Sequence, residues 1–183
     1  PDLEVFADAN LTVDTNPLCP AITDPAVTAA DEGAVHGSEV VALLVGNGRG
    51  PGAVQGIVPD ANVIFYGVGD ASKEFADGDV CGSSGDTVEG VEEGIIRALD
   101  AGADVISISL SVGLPIWAAQ QASYSRAIAE GVVIVAASNN GTGFSPAPAP
   151  FAMNGVVGVN SMAEDGSLRH DADSDDPSKL NIH

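Results

Sequence analysis

Basic residues are scarce in this chain: six lysines and arginines stand against 26 aspartates and glutamates, a formal charge of -20 over 183 residues. A field of that sign repels phosphate backbones and anionic lipid, which excludes nucleic acid as a partner and disfavours adsorption to a membrane surface. No apolar run approaches the roughly 20 residues that a membrane helix needs. Cysteine is nearly absent too. Cys19 and Cys81 are the only two, and neither has a Cys or His neighbour at metal-ligand spacing, which speaks against a zinc site. The pair flanks His36 in sequence and either closes one disulfide, if the protein is exported, or stays reduced. A signal peptide and an initial methionine are also missing. A chain opening at Pro1-Asp2-Leu3 reads as trimmed or excised, so the missing signal carries no information about origin.

What is present suffices for a core. A hydrophobic content of 45% excludes wholesale disorder, and the length fits one domain. The acidic excess reads first as a solubilising surface. The first 35 residues, interrupted by Pro17, Pro20 and Pro25, predict an irregular surface segment with at most a short strand around Leu3 to Phe6. From His36 the pattern is helical, with Val40, Val41, Leu43 and Leu44 on one face and Gly46 as the stop. The glycine-rich loop that follows lacks the Gly-Lys-Ser/Thr ending of a phosphate-binding loop.

Asn62 to Val68 reads as a strand. Asp86-Thr87-Val88-Glu89 has the form of a capping box; it opens a helix with Val91, Ile95, Ile96 and Leu99 as buried stripe and Gly102 as its end. Ser83 and Ser84 before it read as loop or cap residues. Asp104 to Leu110 predicts a strand, Trp117 to Glu130 a helix, and Val132 to Ala137 and Val156 to Asn160 two more strands. Strands alternating with helices of this length indicate an α/β fold, a parallel sheet with helices on both faces.

Three stretches carry chemistry. His36-Gly37-Ser38-Glu39-Val40-Val41-Ala42 places an imidazole, whose ordinary pKa suits a general base at neutral pH, at the opening of a helix. Gly56-Ile57-Val58-Pro59-Asp60-Ala61 follows about twenty residues on. Val132-Val133-Ile134-Val135-Ala136-Ala137-Ser138-Asn139-Asn140-Gly141 ends a buried strand on an amide, a donor that stabilises developing negative charge without titrating. Taken singly, His36 reads as a cap or surface residue, and Asn139-Asn140-Gly141 as a turn.

Taken in order, the three resemble the histidine motif, the downstream Gly-Val-Ala-Pro-x-Ala turn and the strand ending in Ala-Ala-Gly-Asn of subtilisin-like serine peptidases. The resemblance runs over roughly residues 34 to 165. It implies a subtilisin-like three-layer α/β fold, incomplete at both ends. The chain would be a single domain over residues 1–183 lacking the N-terminal strand of the aspartate motif and the C-terminal helix of the serine motif. It also implies a serine endopeptidase working by Ser-His-Asp acyl transfer, with His36 as the base and Asn139 as the oxyanion donor. The segment Ile106 to Gly113 looks like the family's Asn-Met-Ser-Leu-Gly edge, so Ser109, Leu110 and Ser111 would pair with an extended polypeptide substrate.

A secreted or extracellular location follows from the same resemblance, while oligomeric state stays open. Calcium enters because such enzymes often hold it in the loop after the histidine helix. Here that loop offers Asn47 and backbone carbonyls but no carboxylate, and Asp171, Asp173, Asp175 and Asp176 would hold a hard cation weakly. No metal ligand is assigned.

The departures matter as much. Ser38 and Glu39 replace the usual Thr and second His, Val41 is bulkier than the usual Ala, Ser138 replaces a Gly, and Ser111-Val112 stand where Gly is usual. No nucleophile motif Gly-Thr-Ser-Met-Ala-Ser-Pro and no aspartate motif Val-x-Val-Ile-Asp-Thr-Gly occurs. Asp14 copies the latter superficially without a preceding apolar strand or the Gly, and Asp8 does so less well. His170 and His183, in acidic polar surroundings, read as solvated. The chain alone is therefore expected to be inactive. Two alternatives follow: a catalytically dead subtilisin-like peptide-binding or structural domain, and a flavodoxin-like ligand module that explains the βα alternation but not the motif order.

Overall fold

A computed structural model describes residues 3–14, 32–50, 54–67, 84–110, 121–137, 150–151, 153–160, 162 and 165–166. The chain divides into two compact units, Pro1–Gly94 and Ile95–His183, each of which has its own parallel sheet.

In the first unit a short 3-10 helix, Leu3–Phe6, precedes strand β1, Asn10–Asp14. Helix α1 spans Glu32–Val45 and strand β2 spans Asn62–Tyr66. β1 pairs with β2 in parallel, in register from Asn10 opposite Asn62 to Asp14 opposite Tyr66. The expected strand at Leu3 to Phe6 is thus helical, and the strand lies a few residues on. Only Leu11 and Val13 are apolar in β1, so its local signal is weak and its hydrogen bonds come from β2. Along α1, Val41 and Val45 are buried while Leu43 is 40% exposed. The inward stripe therefore runs at i and i+4 through 41 and 45, and the expectation that Leu43 shares it is corrected.

Helix α2, Ser84–Asp100, buries Val91, Ile95, Ala98 and Leu99, with Ile96 at the margin. It ends at Gly102, whose φ is 78°. The Gly102 amide donates to the Leu99 carbonyl and the Ala103 amide to the Ala98 carbonyl, both at 3.0 Å, the pairing of a left-handed helix stop. Helix α3, Gln121–Glu130, ends the same way at Gly131, with bonds from Gly131 to Ile128 and from Val132 to Ala127. Arg126 ties the two helix ends together through Glu130 Oε1 at 2.7 Å and Asp100 Oδ1 at 2.8 Å. Those hydrogen bonds, Glu130 first, hold its guanidinium pKa above the ordinary value.

The second unit's sheet has the order β3 (Val105–Ile108), β4 (Val133–Ala137), β5 (Val156–Val159), all parallel. Ile106 pairs with Ile134, and Ile108 with Ala136. All four are buried on one face, and burying a side chain the size of Ile134 contributes about 1.5–3 kcal/mol. Phe151 packs over Gly158 of β5 so closely that its ring fills the space a β-carbon there would take. The other face carries Val105, Val133, Val157 and Val159, each about half exposed. β-branched residues on both faces of a parallel sheet are the pattern of strands built to be covered on both sides. Among the described residues no helix is long and apolar enough to cross a membrane.

Candidate active site

His36 lies in α1, which starts at Glu32 rather than at the histidine itself. The imidazole therefore belongs to the second turn, half-buried. The other end of α1 is held by the Gly56 motif. Helix C-termini leave carbonyls without intrahelical partners; two of those here, and the carbonyl of Gly46 just beyond, take amides from that segment. Ile57 donates to Leu43 at 3.0 Å, Val58 to Leu44 at 2.9 Å and Gly56 to Gly46 at 2.8 Å. Gly46 itself closes the helix by donating to Ala42 at 2.9 Å.

The motif's second half turns the chain. The Ala61 amide donates to the Val58 carbonyl at 2.9 Å, with Pro59 and Asp60 at the corner, and β2 starts at Asn62. Proline at the second position of such a turn supplies its φ in advance. The six residues from Gly56 to Ala61 thus cap the histidine helix with one half and launch the neighbouring strand with the other.

The loop between Gly46 and Gly56 is tied to the start of the chain. Asn47 donates through its backbone amide to Val5 at 3.0 Å and through Nδ2 to the Glu4 carbonyl at 2.7 Å. Its Oδ1 accepts from the Arg49 amide at 2.9 Å, and the Arg49 guanidinium pairs with Asp8 at 2.9 Å. The Asn47 oxygen is already engaged, the nearby carboxylate is paired with a cation, and no group of three carboxylate, His or Cys residues that could hold a metal occurs among the described residues. Asp171, Asp173, Asp175 and Asp176 lie outside the described residues.

In the second unit Ser109 and Leu110 follow β3 directly, half-buried, so the strand expected to reach Leu110 stops at Ile108. β3 and β4 are parallel, and Ile108 opposite Ala136 is their last matched pair. Both strands therefore end at the same edge of the sheet, β3 running on into Ser109 and Leu110 and β4 ending at Ala137. Asn139 and Ser111 lie outside the described residues, as do Cys19, Cys81, His170 and His183.

Asp14 closes β1 opposite Tyr66, on a strand in which only Leu11 and Val13 are apolar. Sequence reasoning passed over Phe65, a β2 residue whose ring touches the turn that carries His36. The one sequence signal for it is a glycine inside a helix, at position 37.

The sequence profile described as the subtilase family matches residues 2–180. The minor extracellular protease Vpr of Bacillus subtilis (strain 168) is 35% identical over 119 residues, which is 64% of this chain and 12% of that protein. A mutant of the protease domain of PatA superimposes with a TM-score of 0.69 at 23% identity, over 90% of this chain and 54% of that one. The epidermin leader peptide processing serine protease of Staphylococcus aureus gives a TM-score of 0.64 at 19% identity, over 91% and 45%. At such identities the two structures speak for the fold, which is subtilisin-like. The chain spans about half the length of those solved structures and a smaller part of Vpr.

Proposed function

The chain belongs to the subtilase family, and from that membership we propose that it forms part of a serine endopeptidase acting on polypeptides. The observation that carries the reading is one family profile running through both the His36 helix and the strand that leads to Asn139. A serine Oγ attacks the scissile carbonyl carbon while the His36 imidazole takes its proton. The tetrahedral oxyanion accepts a hydrogen bond from the Asn139 side-chain amide. Collapse breaks the C–N bond, and the imidazolium returns the proton to the leaving amine; water then repeats the sequence on the acyl-enzyme.

The extended substrate lies along the edge at Ser109, Leu110 and Ser111, held by main-chain hydrogen bonds as an added strand. The serine and the aspartate come from outside residues 1–183, since neither motif occurs within them. An extracellular setting is supported by the name of the Bacillus relative and suits the acidic composition. No step is assigned to calcium.

The test compares the 183-residue chain with the protein that also carries the serine and aspartate motifs. A fluorophosphonate probe is expected to label the latter and not the former. The labelled protein should hydrolyse a denatured protein substrate, and His36→Gln should reduce the rate by about 10²–10⁴-fold. Saturable peptide binding without turnover or labelling would instead establish a peptide-binding relative. Labelling of the 183-residue chain would overturn the placement of the nucleophile outside it.

A further inference from the structure

Gly37 sits inside α1, next to His36, although glycine is disfavoured relative to alanine in a helix interior. Elsewhere in the described chain Gly48, Gly50, Gly102, Gly131, Gly155 and Gly166 have a positive φ, which explains the glycine; Gly37 is not among them. Space is the reason at position 37. A β-carbon there would stand 2.8 Å from Cζ and 3.3 Å from Cε2 of Phe65. Phe65 belongs to β2, where it pairs with Val13 of β1, so the tip of its ring is pressed from the sheet onto the backbone of the histidine-bearing turn.

We propose that Phe65 is a positioning residue for His36: its ring, seated on Gly37, sets the separation between β2 and the turn of α1 that carries the imidazole. The chemical meaning of this proposal rests on the endopeptidase reading; the contact itself does not. The hydrogen bonds from Gly56, Ile57 and Val58 hold α1 at its C-terminal end, about 9–13 Å from Gly37 at 1.5 Å per residue. The Phe65 contact bears on the histidine-bearing turn itself, away from that cap. Misplacing a catalytic group by about 1 Å costs on the order of 100-fold in rate, so a small tilt of α1 is enough to matter.

The contact is tested in the 183-residue chain by thermal melting of Gly37→Ala, Phe65→Ala and the double variant, and by the NMR shift of the His36 Cε1–H resonance. Gly37→Ala should lower the melting temperature strongly when the Phe65 ring is present and much less in the Phe65→Ala background. Phe65→Ala should move the His36 resonance, Phe65→Leu should largely restore it, and Ile64→Ala, on the opposite face of β2, should leave it in place. Equal melting losses for Gly37→Ala in both backgrounds, or an unmoved His36 resonance in Phe65→Ala, would overturn the proposal. In the protein with the full catalytic set, Phe65→Ala should lower kcat about 10–100-fold with KM little changed, an effect scaled to a sub-ångström shift; unchanged kcat would overturn it as well. Full activity of His36→Gln would remove the endopeptidase reading while leaving the melting and NMR results standing, so the two failures are distinguishable.

Discussion

The backbone amide of Val58 donates to the carbonyl of Leu44 at 2.9 Å, closing the end of the histidine helix from a segment that then turns directly into β2. Most helices end on their own following residues; α2 and α3 do so at Gly102 and Gly131. In α1 the cap comes from the second motif. The spacing between the histidine and Gly56 motifs is therefore the length of chain that leaves the helix, forms the Asn47 loop and returns to cap it.

Gly56 lies tight against the end of α1 in that cap, so Gly56→Ala should weaken it. A β-carbon there would overlap the Leu44 carbonyl and stand 2.6 Å from the Val45 nitrogen, and both are backbone atoms that cannot swing away. The expected loss is about 1–3 kcal/mol, the usual range for overpacking. Urea denaturation reads it, and a loss within error would show that the cap yields without strain.

At Gly102 the outcome should differ in kind. Nothing lies within 4 Å of its missing β-carbon, so Gly102→Ala has room and meets only the left-handed backbone, at about 1–2 kcal/mol. Gly102→Asn should cost less than Gly102→Ala, because asparagine tolerates that conformation better. Equal losses for the two variants would point to packing at this position instead.

Ile134 is fully buried at the centre of the three-stranded sheet, while its neighbour Val133 is 45% exposed. Ile134→Ala should destabilise by about 2–5 kcal/mol and Ile134→Val by about 0.5–1.5 kcal/mol. Val133→Thr, on the open face, should change stability little in the 183-residue chain. A large effect of Val133→Thr would mean that this face is covered, for instance by self-association, which a concentration series would reveal.

Arg126 gives a test of sign. Its raised pKa means that its stabilisation is fully present below the ordinary arginine pKa and is lost only as pH rises through the higher folded value. The guanidinium therefore adds no slope to stability anywhere near neutral pH. Arg126→Gln should lower the melting temperature slightly, by an amount that shrinks as salt is added, since both ion pairs are solvent-exposed.

For the proposed chemistry, Asn139→Ala in the protein with the complete catalytic set should cost about 100- to 1000-fold in kcat, the usual effect of losing one oxyanion donor. KM should change far less, because the donor acts on charge that develops after binding. A loss confined to KM would place Asn139 in substrate binding instead.

Much of the architecture was legible locally. The β-branched runs at Asn62, Val105, Val133 and Val156 are strands where they were expected, shortened at their ends, because these runs match a pleated, buried surface. The α2 stripe through Val91, Ile95 and Leu99 was legible for the same reason at helical spacing. β1 was not, since Leu11 and Val13 amid polar and acidic residues acquire strand character only by pairing with Val63 and Phe65. The start of α1 at Glu32 was also missed, because the histidine motif drew the boundary to His36.

Residue type and short spacing alone specify the family, the order of the histidine, Gly56 and asparagine motifs, and the alternation of strands with helices. How the histidine helix is held is not written at that level. Which carbonyls Gly56, Ile57 and Val58 cap, and that the Phe65 ring lies on Gly37, depend on where separate segments meet in space. A glycine in a sequence records that a side chain is absent, and the fold alone shows which neighbour required its absence.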